Sequence, residues 1–355
     1  MEKVLTIIIP TYNMEKYLDK CLTSLIIEDK ELMKQLEVLV VIDGAKDRSS
    51  EIAHTYQDKY PETFIVIDKE NGNYGSCINR GLREGTGKYV KVLDADDSFN
   101  TKNFESYLTF LTSADFDLIL TPYVIVNEKG EETSHKGYNL SHDSVLTWEN
   151  LSEELRKNHL QMHAVTYKLE NIKRLNYSQT EGISYTDQEW DFTPLYAVES
   201  ICYYSKEVYC YLLGRVGQTM SVEAQKRNSH HNELCVRKIV KDFSAFEVVE
   251  SAKYRYLKYE CLNSIKTIYT NYLLKYPELP LENIKSFDAY IKECNKSLYD
   301  SMNDVVIPYT GFKFIKKWHQ DVNCSMNIVE LFLYKYSKII SSIKYRINAL
   351  IRNFF

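Results

Sequence analysis

The sequence predicts an α/β fold, a mostly parallel sheet flanked by helices, extended at its C-terminus by a helical region. Within the first 97 residues, short apolar runs rich in β-branched residues alternate with segments whose apolar residues recur every three or four positions. That alternation marks strands buried on both faces and joined by amphipathic crossover helices. Beyond residue 225, Leu257, Cys261, Ile265, Ile268 and Tyr272 recur at helical spacing, which predicts a helical core stripe. The expected boundaries are 1–225 for an α/β domain, with halves 1–97 and 98–225, and 226–355 for the helical region.

Each element follows from its residues. Val4 to Ile9 is an apolar run closed by Pro10-Thr11-Tyr12-Asn13, a buried strand ending in a loop. Tyr17, Leu18, Cys21, Leu22, Leu25 and Ile26 predict a helix over about 15–27. Val38 to Ile42 is a second strand, ending in Asp43-Gly44-Ala45-Lys46-Asp47, with a helix from about Ser50 to Lys59. Phe64 to Ile67 is a third, followed by the turn-forming Asn71-Gly72-Asn73-Tyr74-Gly75 and a helix to about Glu84. Gly85-Thr86-Gly87 turns the chain into a fourth strand, Lys88 to Leu93, and Ile201 to Tyr211 reads as one further strand-like run.

Composition narrows the function. Charged residues make up 26% and hydrophobic residues 44% of 355 positions, ordinary for a globular protein. The net charge of -5 and pI near 6.0 argue against a nucleic-acid partner. The eight cysteines are scattered without a Cys-x-x-Cys pair, as expected for reduced thiols in a cytoplasmic protein. The N-terminus enters a strand without a leader pattern, and no apolar run reaches membrane-spanning length.

The fourth strand ends in Asp94-Ala95-Asp96-Asp97, three carboxylates in four positions. Such a cluster suits a hard divalent cation, Mn²⁺ or Mg²⁺, with open positions for phosphate oxygens. The alternative is a solvated turn in which Asp97 or Ser98 caps the next helix. The polar ends of the first and second strands, Thr11 to Asn13 and Asp43 with Asp47, favour a site, because parallel sheets bind ligands at their strands' carboxyl ends. A dinucleotide fold would need Gly-x-Gly-x-x-Gly after the first strand, where this chain has Pro-Thr-Tyr-Asn.

Pro10-Thr11-Tyr12-Asn13, Val41 to Ser49, Asn79-Arg80-Gly81-Leu82 with Gly87-Lys88-Tyr89, and Leu93 to Asp97 together resemble the inverting family 2 glycosyltransferases of GT-A, Rossmann-like fold. The resemblance covers roughly the first 125 residues. A fainter echo runs through Tyr185 to Trp190 and Tyr211 to Arg215. It implies a hexosyltransferase-type enzyme that moves one sugar from a nucleotide-diphosphate donor, UDP-linked, to a saccharide or polyprenyl-linked saccharide, as in capsule and other cell-envelope polysaccharide synthesis. The alternative is a non-catalytic nucleotide-sugar-binding or scaffold member of an assembly complex.

By resemblance, the nucleotide sugar is held by Pro10, Thr11, Tyr12, Asn13, Asp43, Asn79, Asp94, Ala95 and Arg215. Tyr12 stacks on the base, Asp43 accepts its imide N–H, and Arg215 rides a mobile loop over the diphosphate. Asp96, with Asp94, holds the metal. Asp187 is the catalytic base, with N-cap of the following helix as its bland alternative and Glu189 as fallback. His163 falls where relatives build the acceptor pocket, and a core histidine is the commoner reading. One departure stands out: the family's Ala-Arg-Asn-x-Gly is Cys77-Ile78-Asn79-Arg80-Gly81 here, so its Arg is replaced by Ile78. From Ile328 to Phe355, lysines and arginines alternate with Ile, Leu and Phe. This reads as a basic amphipathic helix for peripheral membrane contact, or equally for packing on its own domain or a homodimer partner.

Overall fold

A computed structural model describes residues 2–141, 144–215, 222–246 and 249–354. Val216 to Ser221, which follow Arg215, lie outside the described residues, as do Phe355 and the side chains of Arg346, Leu350, Ile351, Arg352 and Phe354. The chain divides into two compact units: Met1–Ala224 with Val249–Tyr256, and Gln225–Val248 with Leu257–Phe355.

The first unit is α/β. Its strands are β1 (Leu5–Thr11), β2 (Leu36–Asp43), β3 (Phe64–Lys69), β4 (Tyr89–Val92), β5 (Ser98–Phe99), β6 (Leu118–Leu120), β7 (Tyr123–Val126), β8 (Glu132–Lys136), β9 (Ser144–Leu146), β10 (Val165–Lys168), β11 (Ile201–Tyr203) and β12 (Tyr209–Leu212). Eight strands form one sheet in the order β3-β2-β1-β4-β10-β6-β11-β9, and β5-β12-β7-β8 form a second. The pairs β3–β2, β2–β1 and β1–β4 are parallel. All eight residues of β2 are buried, which is why Val38 to Ile42 within it is an unbroken apolar run. The chain moves outward from β1 to β3 and returns beyond β1 to form β4. That reversal opens a crevice at the carboxyl ends of β1 and β4.

Three sequence expectations are corrected. The helix expected over 15–27 is only Leu18–Thr23, because Met14 and Glu15 donate their N–H groups to Ser49 Oγ (2.8 Å) and Asp47 Oδ2 (2.9 Å) instead. The run Ile201 to Tyr211 splits: β11 pairs with β6 in the large sheet, and β12 pairs with β5 and β7 in the second. The polar Ser205-Lys206-Glu207 marks the break. The helix after the Asp cluster begins at Thr101, capped by Asn100, so neither Asp97 nor Ser98 is its cap.

The helix Asn73–Glu84 presses its first turn against residues 179–180. A Cβ at Gly75 would sit 2.2 Å from the Thr180 carbonyl oxygen, so only glycine fits that approach. Beneath the sheet's centre, Lys91 is fully buried and donates to the carbonyls of His163 (2.8 Å) and Val165 (3.0 Å). Burial pushes its ammonium down to about 7.

The second unit is helical. Ile265, Ile268, Phe287, Ile291 and Trp318 are fully buried, and the buried Asp288 accepts from Tyr269 Oη (2.7 Å) and Trp318 Nε1 (3.0 Å). The last helix, Ile328–Phe354, exposes Ile328, Phe332, Tyr336, Ile339, Ile343 and Ile347. At roughly 100° per residue these share one face within an arc of about 100°. Among the described residues, no helix is long and apolar enough to cross a membrane. All eight cysteines are free thiols.

Candidate active site

A cavity of about 250 Å³ opens at the carboxyl ends of β1 and β4; Pro10, Tyr74, Asp94, Asp96, Asp187 and Arg215 line it, with Ala95 between the two carboxylates. The carboxylates of Asp94, Asp96 and Asp97 lie within 4.8 Å of one another, but their surroundings differ. Asp97 is buried, and both its oxygens are engaged: Tyr209 Oη donates to one (2.6 Å) and the Leu212 N–H to the other (2.7 Å). Those bonds tie the Asp turn to β12. Asp94 accepts from Tyr74 Oη (2.9 Å) through Oδ1. Burial first, and then the charge of Asp96, raise the Asp94 carboxyl to about 7. Asp96 accepts from Arg215 Nε, and the Arg215 guanidinium also lies 5.5 Å from the Tyr17 ring centre.

This donor set fits a divalent cation. Two hard carboxylates face one cavity, and a guanidinium on Asp96 shows that the site accepts positive charge. Asp94 and Asp96 face the cavity with one oxygen each engaged, by Tyr74 and Arg215, whereas Asp97 spends both its oxygens inside the protein.

Asp187 lines the same cavity and is the first residue of the short helix Asp187–Trp190, with Thr186 at the cap position. Burial raises its carboxyl above the usual Asp value, opposed by hydrogen bonds from its own and the Gln188 N–H. Glu189 is fully buried and points elsewhere, accepting from the Thr180 N–H (2.9 Å). Tyr185, just before, has φ of 70°, a costly conformation for a bulky residue.

The remaining candidates separate. Tyr12 is 44% exposed, its ring open to stacking. Thr11 is buried and donates to the Ile9 carbonyl (3.2 Å), while Asn13 accepts from the Lys46 N–H (2.8 Å). The buried Asp43 takes Lys69 Nζ, the Gly72 N–H (2.9 Å) and Asn71 Nδ2 (3.1 Å), so a base reaching it must share or replace one of those donors. Asn79 is buried and binds residues 179 and 181 rather than the cavity. Ile78 is fully buried, and Arg80 pairs with Glu84 on the helix surface.

Sequence reasoning missed Tyr74, Met162 and Tyr211 as cavity residues. Tyr74 sits in the Asn/Gly turn already singled out, where an aromatic beside Gly75 was the available signal. His163 also lines the cavity, its ring 4.2 Å from that of Tyr211 and 4.8 Å from that of Tyr209. Burial and then the charge of Lys91 push it down to about 3. It stays neutral and is too weak a base to take a hydroxyl proton.

The model of glycosyl transferase family 2 matches residues 6–169. Residues 6–169, a little under half of the chain, thus form a family 2 glycosyltransferase domain. An uncharacterized glycosyltransferase of Mycoplasma pneumoniae is 27% identical over 242 residues, 65% of this chain and 76% of that protein. The minor teichoic acid biosynthesis protein GgaB of Bacillus subtilis is 30% identical over 130 residues, 37% of this chain but only 14% of GgaB. The crystal structure of S. aureus TarS 1-349 with UDP-GlcNAc superposes with a TM-score of 0.66 at 18% identity, covering 89% of this chain and 91% of that one. The glycosyltransferase domain thus has the GT-A architecture, carried with a helical C-terminal region.

Proposed function

We propose that this glycosyltransferase moves one sugar, with inversion, from a UDP-linked donor to a saccharide or polyprenyl-linked saccharide acceptor of the cell envelope. The observation that carries the reading is that Asp187 lines the same cavity as Asp94 and Asp96. Inversion requires a base on one side of the sugar and charge stabilisation on the other. Asp94 and Asp96 would hold Mn²⁺ or Mg²⁺, which when bound offsets the charge building on the departing diphosphate. Asp187 takes the acceptor hydroxyl's proton on its carboxylate as that oxygen attacks the anomeric carbon. Arg215 moves from Asp96 to the diphosphate oxygens, a bidentate match. Tyr12 stacks on the uracil. Pro10, Thr11, Asn13 and Asn79 shape the nucleotide side, and Asp43 meets the base edge through the Lys69–Asn71 cluster. The structure bound to UDP-GlcNAc supports the donor class, and the teichoic acid relative supports an envelope polymer as acceptor.

A thermal-shift series tests this. UDP-sugars are expected to raise the unfolding temperature further with Mn²⁺ than with EDTA at pH 7.5, by mass action on the folded state. The metal-dependent part should shrink at pH 5.5. Burial and the charge of Asp96 raise the metal-free Asp94 carboxyl to about 7, so at pH 5.5 a cation must displace a proton to bind it. An equal shift in EDTA at both pH values would refute the metal role of the pair.

The same reading places the chain on the cytoplasmic face of a membrane, by peripheral contact through 328–355. The exposed apolar face of the last helix is bordered by exposed Lys335 and Lys344, and the sequence from 331 onward holds no carboxylate side chain. That arrangement suits an anionic bilayer surface. The chain is expected to co-sediment with phosphatidylglycerol vesicles, and I339D/I343D to bind at least tenfold less. Failure of the wild type to sediment, with dimers that I339D/I343D dissociates, would assign the face to a homodimer instead.

A further inference from the structure

The second unit holds a cavity of about 400 Å³ between the end of the helix Ala252–Thr270, the turn at 306–308 and the inner side of the last helix. One wall is cationic: Lys266 and Lys338 line it, with the Asn271 amide and the hydroxyls of Thr270, Ser337 and Ser341 between them. Leu274, Ile307 and Phe314, all three buried, give the same cavity apolar lining. No carboxylate lines the cavity among the described residues. Glu330, Asp304 and Glu278 of the same unit are already paired, with Lys317, Lys313 and Lys226.

Lys266 is half-buried. Its ammonium is depressed by burial first and by the charge of Lys338 second. Two like charges facing one another, one of them partly stripped of water, cost stability unless an anion joins them. A third lysine, Lys275, also lines the cavity. It donates to the neutral Gln225 Oε1 (2.9 Å), so its charge adds to that of the Lys266–Lys338 pair. The cavity wall is also where regular helix gives way to a single π-helical stretch, Asn271–Lys275, a distortion that recurs at functional sites.

We propose that this cavity is a second ligand site, taking a phosphate group on Lys266, Lys338 and Asn271 while an apolar carrier rests against Leu274, Ile307 and Phe314. The charge calls for a dense anion, and the apolar lining calls for something apolar attached to it. Two sources share that chemistry: a lipid phosphate monoester and a soluble phosphate ester. The site lies in the helical unit and needs neither the Asp pair nor a divalent cation, so its test stands apart from that of sugar transfer.

The experiment is calorimetric titration of the full chain in EDTA with pyrophosphate, dihexanoyl phosphatidic acid below its micellar concentration, and dihexanoyl phosphatidylcholine as the zwitterionic control. Phosphatidic acid and pyrophosphate are expected to bind, and K266M/K338M to weaken both at least tenfold. Phosphatidic acid binding tenfold tighter than pyrophosphate identifies a lipid source; equal affinity identifies a soluble one. The ligand-free double variant should unfold at the same or a higher temperature than the wild type, since it loses a repulsion. If it does not fold, K338Q alone should weaken binding severalfold. Unchanged binding in the variants, no binding by either phosphate ligand, or equal binding of phosphatidylcholine would overturn the site.

Discussion

Asp187→Asn is expected to lower sugar transfer by about 10²–10⁴-fold, the usual contribution of a positioned general base. The metal-dependent thermal shift with UDP-sugar should stay within a few tenths of a degree of wild type. The amide keeps the shape of the side chain but cannot accept the hydroxyl's proton, so the loss falls on kcat and not on donor affinity. The pH profile gives a second readout. A base works only when ionised, so kcat/KM falls as pH drops through the group's folded pKa. Burial places that pKa above the ordinary Asp value, so the acid limb should lie above the range of a free aspartate. Glu189 cannot rescue the variant, being fully buried and held by the Thr180 N–H. A variant retaining a tenth or more of wild-type kcat would remove Asp187 from the base's role.

Lys91→Met is expected to stabilise the protein by a few kcal/mol at pH 7, and that advantage should be gone by pH 10. Lys91 titrates near 7 in the folded protein and near 10.4 in an unfolded chain. Between those values the unfolded state binds the extra proton, so wild-type stability rises with pH and the burden is fully present at and below about pH 7. That difference corresponds to roughly 5 kcal/mol as an upper figure. The variant also strands the His163 and Val165 carbonyls that Lys91 serves, which returns about 1–3 kcal/mol. Urea denaturation at pH 7 and pH 9.5 measures the difference. Wild-type and variant stabilities that stay parallel across that interval would show that Lys91 folds without giving up its proton.

What the sequence reveals is set by how strands are buried. Ile7 to Ile9 in β1 and Val38 to Ile42 in β2 are continuous apolar runs because those residues are buried on both faces of the sheet, so the order of these strands and the polar ends of β1, β2 and β4 can be read directly. β5, β9 and β11 have two or three residues each, too few to show a period. The split of Ile201 to Tyr211 between two sheets depends on pairings with β6 and β7 that local pattern does not encode. At the site, residue types that imply chemistry were visible, Asp94, Asp96 and Asp187 among them. Their division of labour was not. That Asp97 is spent on Tyr209 and Leu212, and that Tyr74 braces Asp94, arise from contacts across more than a hundred positions in the first case and twenty in the second.

The Arg215–Asp96 pair has a consequence for how the two ligands of the proposed reaction act on one another. A cation arriving alone must compete with a guanidinium already on its ligand. A diphosphate arriving alone must draw that guanidinium away from its carboxylate. When both arrive, each takes the partner the other releases. Cation and donor therefore raise each other's affinity by the same factor, as linkage demands. An enzyme so arranged stays idle when either is scarce and switches on sharply when both are present.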